Sequence, residues 1–144
     1  MLMKLALINA LQHVPYFVLI GYVLWNYGSF GETSLSAALV FGLAMVLHFG
    51  HTFMNRIIVR RDFASPNEAQ LETGGWFRMN RNPFYTMQTL VALAAVLQHT
   101  TLISIALFFI FFSIVNVTVT LEERYLERKY GESYARYRRE VWRW

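Results

Sequence analysis

The chain has 144 residues, the size of one domain, with 56% apolar and 15% charged residues, a net charge of +4 and no cysteine. So few charges cannot cover so much apolar surface in a soluble domain this small, so the composition points to lipid as solvent. The lack of cysteine excludes disulfides, thiolate nucleophiles and cysteine-ligated metals.

The basic residues lie beside apolar spans. They read as topology determinants and lipid-facing charges rather than a nucleic-acid footprint, so no nucleic-acid partner is expected.

Three stretches carry no charge: Leu5–Gly31, Thr33–Asn55 and Asn82–Leu121. A spanning helix needs about 20 residues to cross about 30 Å of hydrocarbon. The first stretch supplies one span at 5–27 and the second another at 35–54. The third is long enough for two, broken at the polar cluster Gln98-His99-Thr100-Thr101 into arms at 83–97 and 102–121. The shorter arm reaches only about 22 Å, so this helical hairpin is expected to sit shallow or off-centre. The apolar N-terminal run is too long for a cleavable signal peptide, and further spans follow it.

The fold expected is all-α, a single polytopic membrane bundle of about four helices. A loop at 55–82 joins its halves, and an amphipathic helix occupies 122–144. Lys4 precedes the first span. Arg56, Arg60, Arg61, Arg78 and Arg81 lie between the second and third, and the other basic residues follow the fourth. The segments Gly28–Ser34 and Gln98–Thr101 have none. The positive-inside rule therefore places both termini and the central loop in the cytoplasm, and the expected location is a prokaryotic plasma membrane.

Two polar concentrations stand at that face. The first runs from Leu71 to Tyr85, where Gly74-Gly75 suits a tight turn and Pro83 suits the first turn of a helix. Arg81, Asn82 and Tyr85 thereby gather at an anion-friendly helix start. An interfacial anchor of arginines and aromatics is the plainer reading.

The second concentration is Glu122–Tyr137. There Leu126, Tyr130, Tyr134, Tyr137 and Val141 recur at helical spacing, as in a helix lying on a membrane surface. Glu122 and Glu123 argue for more, because acidic residues gain nothing beside anionic headgroups. If the hairpin closes, Arg81, Asn82, Tyr85, Glu122, Glu123 and the tyrosines share one mixed-charge pocket suited to a zwitterion.

His48 and His51 lie three apart and share a helix face. Packing, lining of an acceptor path, and ligation of haem or metal are all open to them. No acidic residue accompanies them, and no metal site is assigned. Asn116 lies within the fourth span, where a buried amide needs a partner; it is structural or lines the site.

At these residues the sequence resembles the isoprenylcysteine carboxyl methyltransferase and phospholipid N-methyltransferase family of integral membrane enzymes. One motif stands as Gly74-Gly75-Trp76-Phe77-Arg78-Met79-Asn80-Arg81-Asn82-Pro83-Phe84-Tyr85. The family's proline after the first glycine is Gly75 here, so the start of the match is offset by one residue. The other motif runs Glu122-Glu123-Arg124-Tyr125-Leu126 through Tyr130-Gly131, Tyr134 and Tyr137, and ends Val141-Trp142-Arg143-Trp144.

The resemblance implies a methyltransferase that binds S-adenosylmethionine at its cytoplasmic face and methylates a lipid or lipid-linked acceptor. It implies Arg81, Asn82 and Glu123 as catalytic residues. It implies Asn82, Pro83, Tyr85, Glu122, Glu123, Tyr134 and Tyr137 as cofactor-binding residues, with His48, His51 and Asn116 lining the substrate path. Some members carry histidine where this chain has Asn82, and an amide cannot shuttle protons near neutral pH. The competing expectation is a non-enzymatic membrane subunit binding haem or metal through His48 and His51.

Overall fold

The computed structural model describes residues 2–28 and 71–144, together with Leu39, Gly42, Leu43, Met45, Val46, Leu47, Phe49, Gly50 and Phe53. Those nine isolated residues are all helical. The rest of the second expected span, with His48 and His51, and most of the expected 55–82 loop lie outside the described residues. The described elements are, in chain order, α1 (Leu2–Gly28), a 3-10 turn (Gly75–Arg78), α2 (Pro83–Gln98), α3 (Leu102–Tyr130) and α4 (Glu132–Glu140).

In α1 the buried positions Gln12, Tyr16, Leu19, Ile20 and Val23 fall on one helical face. The exposed positions Leu7, Leu11, Val14, Val18 and Trp25 follow the same period on another. A helix on the surface of a soluble protein would be polar there. This one is apolar on both faces, as a helix must be when its outside meets hydrocarbon.

The buried face of α1 packs mainly on α3. Tyr16 meets Phe111 with ring centroids 5.2 Å apart, and Tyr22 Oη lies 3.4 Å from Thr101 Oγ1. Position numbers fall along α1 as they rise along α3, so the two helices run antiparallel.

α2 buries Tyr85, Gln88, Val91, Ala92, Ala95 and Val96, and α3 buries Phe111, Val115, Thr118 and Val119. Small alanines on α2 let helix backbones approach closely. The boundary between these helices falls at the polar cluster read from the sequence. Only His99, Thr100 and Thr101 separate them, and Thr101 and Ser104 cap α3 reciprocally: each side chain accepts from the other's backbone N–H.

α3 is long and apolar enough to cross a membrane, the one such helix among the described residues. Its 29 residues extend about 43 Å, more than the about 30 Å of hydrocarbon. The helix therefore carries Glu122 and Glu123 outward on its own rigid continuation.

Here the expected organisation needs correction. The segment 122–144, read as one amphipathic helix, is three pieces: the last turns of α3, the short α4, and an extended tail from Val141. The break is Gly131, whose φ of +52° is open to glycine and disfavoured for other residues. The stripe from Leu126 to Val141 assumed one unbroken helix, and it does not survive as a single face.

Candidate active site

The site begins with the local fold before α2. Gly75, at φ +54°, starts the 3-10 turn that delivers Asn80 to the head of α2. The Asn80 side chain then fixes that head. Its Oδ1 accepts from the Asn82 backbone N–H at 2.6 Å, and its Nδ2 donates to Thr86 Oγ1 at 2.7 Å. Pro83 sits in the first turn of α2, as its missing N–H favours. Arg81 and Asn82 are thereby held at the mouth of the helix.

Against this mouth lies the C-terminal tail. Asn80 and Trp142 form a parallel β-bridge, and the Arg81 N–H donates to the Trp142 carbonyl at 2.8 Å. Asn82 Nδ2 donates to the Arg143 carbonyl at 3.0 Å. Trp144 packs near Phe112, and the Arg143 guanidinium lies 5.8 Å from the Trp144 ring centre. The tail therefore crosses from α4 to the α2 mouth and ends against α3.

Glu123 stands between two arginines. Arg81 Nη2 lies 3.4 Å from Glu123 Oε1, and Arg143 Nε lies 3.3 Å from Oε2. Arg143 Nη2 also donates to Thr120 Oγ1 at 2.7 Å. The Arg81 and Glu123 side chains are only 10% and 14% exposed, so water screens their attraction weakly. Even so, Arg81 Nε and Nη1, Arg143 Nε and Glu123 Oε1 are buried with no hydrogen-bond partner among the described residues.

These groups open onto a cleft of about 380 Å³ lined by Arg81, Thr120, Glu123, Arg124, Glu127, Arg138 and Arg143. Small-molecule sites typically fall within about 300–1,000 Å³. Exposed Arg138 pairs with Glu127 at 3.5 Å on its rim.

The neighbouring acid has a different fate. Successive helical residues point about 100° apart, and Glu122 faces α2, where Tyr85 Oη donates to its Oε1 at 2.8 Å. Burial pushes the Glu122 carboxyl up to about 7, with the Tyr85 hydrogen bond pulling the other way. Tyr134 and Tyr137 are buried on α4, and burial is the largest cause pushing both phenols up to about 12. Tyr137 Oη donates to the Phe77 carbonyl at 2.7 Å and so ties α4 to the 3-10 turn.

Of the residues singled out from the sequence, Arg81 and Glu123 come together in the cleft. Asn82 reaches its wall by holding the tail, Tyr85 and Glu122 form a separate pair, and Tyr137 holds the loop. The Asn116 amide donates to the Phe112 carbonyl of its own helix at 2.8 Å. His48 and His51 lie outside the described residues.

Arg143, Thr120, Arg124, Glu127 and Arg138 were not singled out. Arg143 had a visible signal: Val141-Trp142-Arg143-Trp144 is rich in strand-forming side chains directly after a helix.

The described residues are nearly all helical, their outer faces are apolar, and a charged cleft lies toward the C-terminal end of the longest helix, as in a membrane protein. The chain matches the family model described as phospholipid methyltransferase over residues 5–133, and it belongs to that family. Membership implies a membrane methyltransferase and lends no support to the haem or metal alternative. No curated protein and no solved structure matches the chain.

Proposed function

We propose that the protein transfers a methyl group from S-adenosylmethionine to a lipophilic or membrane-borne acceptor at the cytoplasmic face of the membrane. A phospholipid amine, a prenylcysteine carboxylate and a similar small apolar nucleophile are the acceptors considered. In this reading the chain spans the bilayer about four times, α2 and α3 form a hairpin, and both termini are cytoplasmic, as the placement of the basic residues supports.

The observation that carries the reading is the enclosed Arg81–Glu123 centre with unsatisfied donors and an unsatisfied acceptor on one cleft. A zwitterionic amino-acid end needs this pairing, a guanidinium for its carboxylate and a carboxylate for its ammonium. The residues present therefore fit the cofactor. Bound S-adenosylmethionine would supply an electrophilic methyl group on a sulfonium.

Arg81 Nε and Nη1 would take the carboxylate, and Glu123 Oε1 would accept from the ammonium or a ribose hydroxyl. Asn82, through the Arg143 carbonyl, keeps the tail closed over the cleft, and Tyr85 orients Glu122. Tyr134 and Tyr137 stay protonated and, buried on α4, would back the wall of the cofactor site rather than face the ligand across the cleft. Pro83 starts α2 so that these groups converge. Direct displacement asks mainly for positioning and exclusion of water, and an enclosed ion-paired centre provides both. His48, His51 and Asn116 remain proposed substrate-lining residues.

The test is titration of the detergent-solubilised protein with S-adenosylhomocysteine by calorimetry. Saturable binding, weakened in Glu123→Ala and Asn82→Ala but kept in His51→Ala, is expected. Absence of binding together with a haem absorbance band would sink the proposal.

A further inference from the structure

Glu123 offers one negative charge to two guanidinium groups. Around the cleft as a whole, four arginines face two glutamates. Each guanidinium carries five N–H donors in a fixed fork, and one carboxylate cannot saturate two such forks. The shortfall is visible: Arg81, nine-tenths buried, leaves Nε and Nη1 without a hydrogen bond, and Arg143 leaves its buried Nε so. Buried donors are normally satisfied, and a surplus of enclosed positive charge is costly until an anion joins it.

Arg143 is also placed with more care than a membrane anchor requires. Its carbonyl is held by Asn82, its Nη2 is bonded to Thr120, and its ring neighbour Trp144 is seated near Phe112. Those contacts fix the guanidinium beside Glu123, with Nε 3.3 Å from Glu123 Oε2 but without hydrogen-bond geometry, so the donors to spare are chiefly those of Arg81.

We propose that Arg143 and Arg81 are the two arms of a clamp for a second anion, a carboxylate or a phosphate, with Glu123 as the strut that sets their spacing. Thr120 and Glu123 flank the end of the apolar stretch at Leu121, so the clamp lies at headgroup depth in the proposed topology. The anion has two possible sources, the carboxylate of the cofactor or the phosphodiester of an acceptor lipid. The clamp rests on the methyltransferase reading for the identity of that ligand and not for its own existence.

The experiment titrates three probes into the full chain in detergent: S-adenosylhomocysteine, its decarboxylated analogue, and a short-chain phosphatidylethanolamine. Arg143→Gln keeps a hydrogen-bonding side chain beside Thr120 and removes the charge. If the cofactor supplies the anion, this variant binds S-adenosylhomocysteine about tenfold more weakly and the decarboxylated analogue unchanged. If the lipid supplies it, S-adenosylhomocysteine binding is unchanged and the short-chain lipid binds about tenfold more weakly. Affinities for both within twofold of wild type overturn the clamp.

Arg143→Lys keeps the charge but loses the fork, so its affinity is expected to fall between those of wild type and Arg143→Gln; binding no better than that of Arg143→Gln overturns it. Should the variants fail to fold, inorganic phosphate titrated into the wild-type protein decides. It raises Tm if the clamp is real, and no stabilisation overturns it. Wild-type protein that binds phosphate and lipid but not S-adenosylhomocysteine sinks the methyltransferase reading and leaves the clamp standing.

Discussion

The two ends of the α2–α3 pair both carry polar side chains, and they use them in opposite ways. At the connection, Thr101 and Ser104 cap each other, Ser104 Oγ donates to the His99 carbonyl at 2.7 Å, and Thr100 Oγ1 donates to the Val96 carbonyl at 3.0 Å. These bonds close within five residues of sequence. At the other end the partners are distant: Arg81 meets Glu123, Asn82 holds the carbonyl of Arg143, and Tyr137 reaches Phe77. The distant network leaves buried guanidinium donors unsatisfied, whereas the connection stabilises its turn. Polar groups that satisfy one another locally are structure, and those drawn together from afar with capacity to spare mark a site.

The most severe way to break this contrast is to remove the strut. Glu123→Ala leaves two arginines facing each other without a counter-charge, and loss of one partner of an enclosed pair costs about 3 kcal/mol. A binding loss of about 100-fold for S-adenosylhomocysteine is expected by calorimetry. Affinity within threefold of wild type would show that Glu123 serves the fold alone.

Asn82→Ala comes next. It removes the amide that holds the tail and is expected to lower stability by about 1 kcal/mol. Ligand affinity is expected to fall about tenfold, because the Arg143 arm is released. A melt and a titration on the same sample separate the two effects.

A pH series sharpens the difference between the adjacent acids. Burial raises the folded-state pKa of Glu122 to about 7 from its ordinary value of 4.5. The folded state therefore holds a proton that the unfolded state has given up between those values. Its stabilising share is complete below the lower value and is lost as pH rises through the upper one. Glu122→Gln should flatten unfolding free energy across that window and leave S-adenosylhomocysteine binding nearly intact. Tyr85→Phe removes the bond that favours the carboxylate, so the same loss should begin at the same pH and continue to higher pH. An unshifted profile in Tyr85→Phe would show that the hydrogen bond does not govern this carboxyl.

The smallest effect belongs to the connection. Ser104→Ala breaks the reciprocal cap, and loss of such a cap typically costs about 1 kcal/mol. Ligand affinity should not change. A drop in affinity there would mean that the two ends are coupled and that the contrast is false.

Much of the molecule was legible in its sequence because the signals are local. Apolar runs give helices wherever the backbone must satisfy itself without water. The polar cluster at 98–101 marks where α2 ends, and Pro83 marks where it begins. Arg81, Asn82 and the Glu122–Glu123 pair stood out because charge and amide at a membrane border call for a reason. The family follows from the same motifs, and the match over residues 5–133 bears it out.

Only the tertiary structure decided how the last 23 residues are used. Their spacing fits one amphipathic helix, and periodicity alone does not reveal that Gly131 takes a positive φ and turns the chain. Nor does sequence separate Glu122 from Glu123. Both are acids at one border, and only the packing of α2 and the return of the tail give one a phenol and the other two arginines. Helices are written in short-range pattern. The charge balance of the cleft is a sum over residues as far apart as Arg81 and Arg143, and only the folded chain performs it.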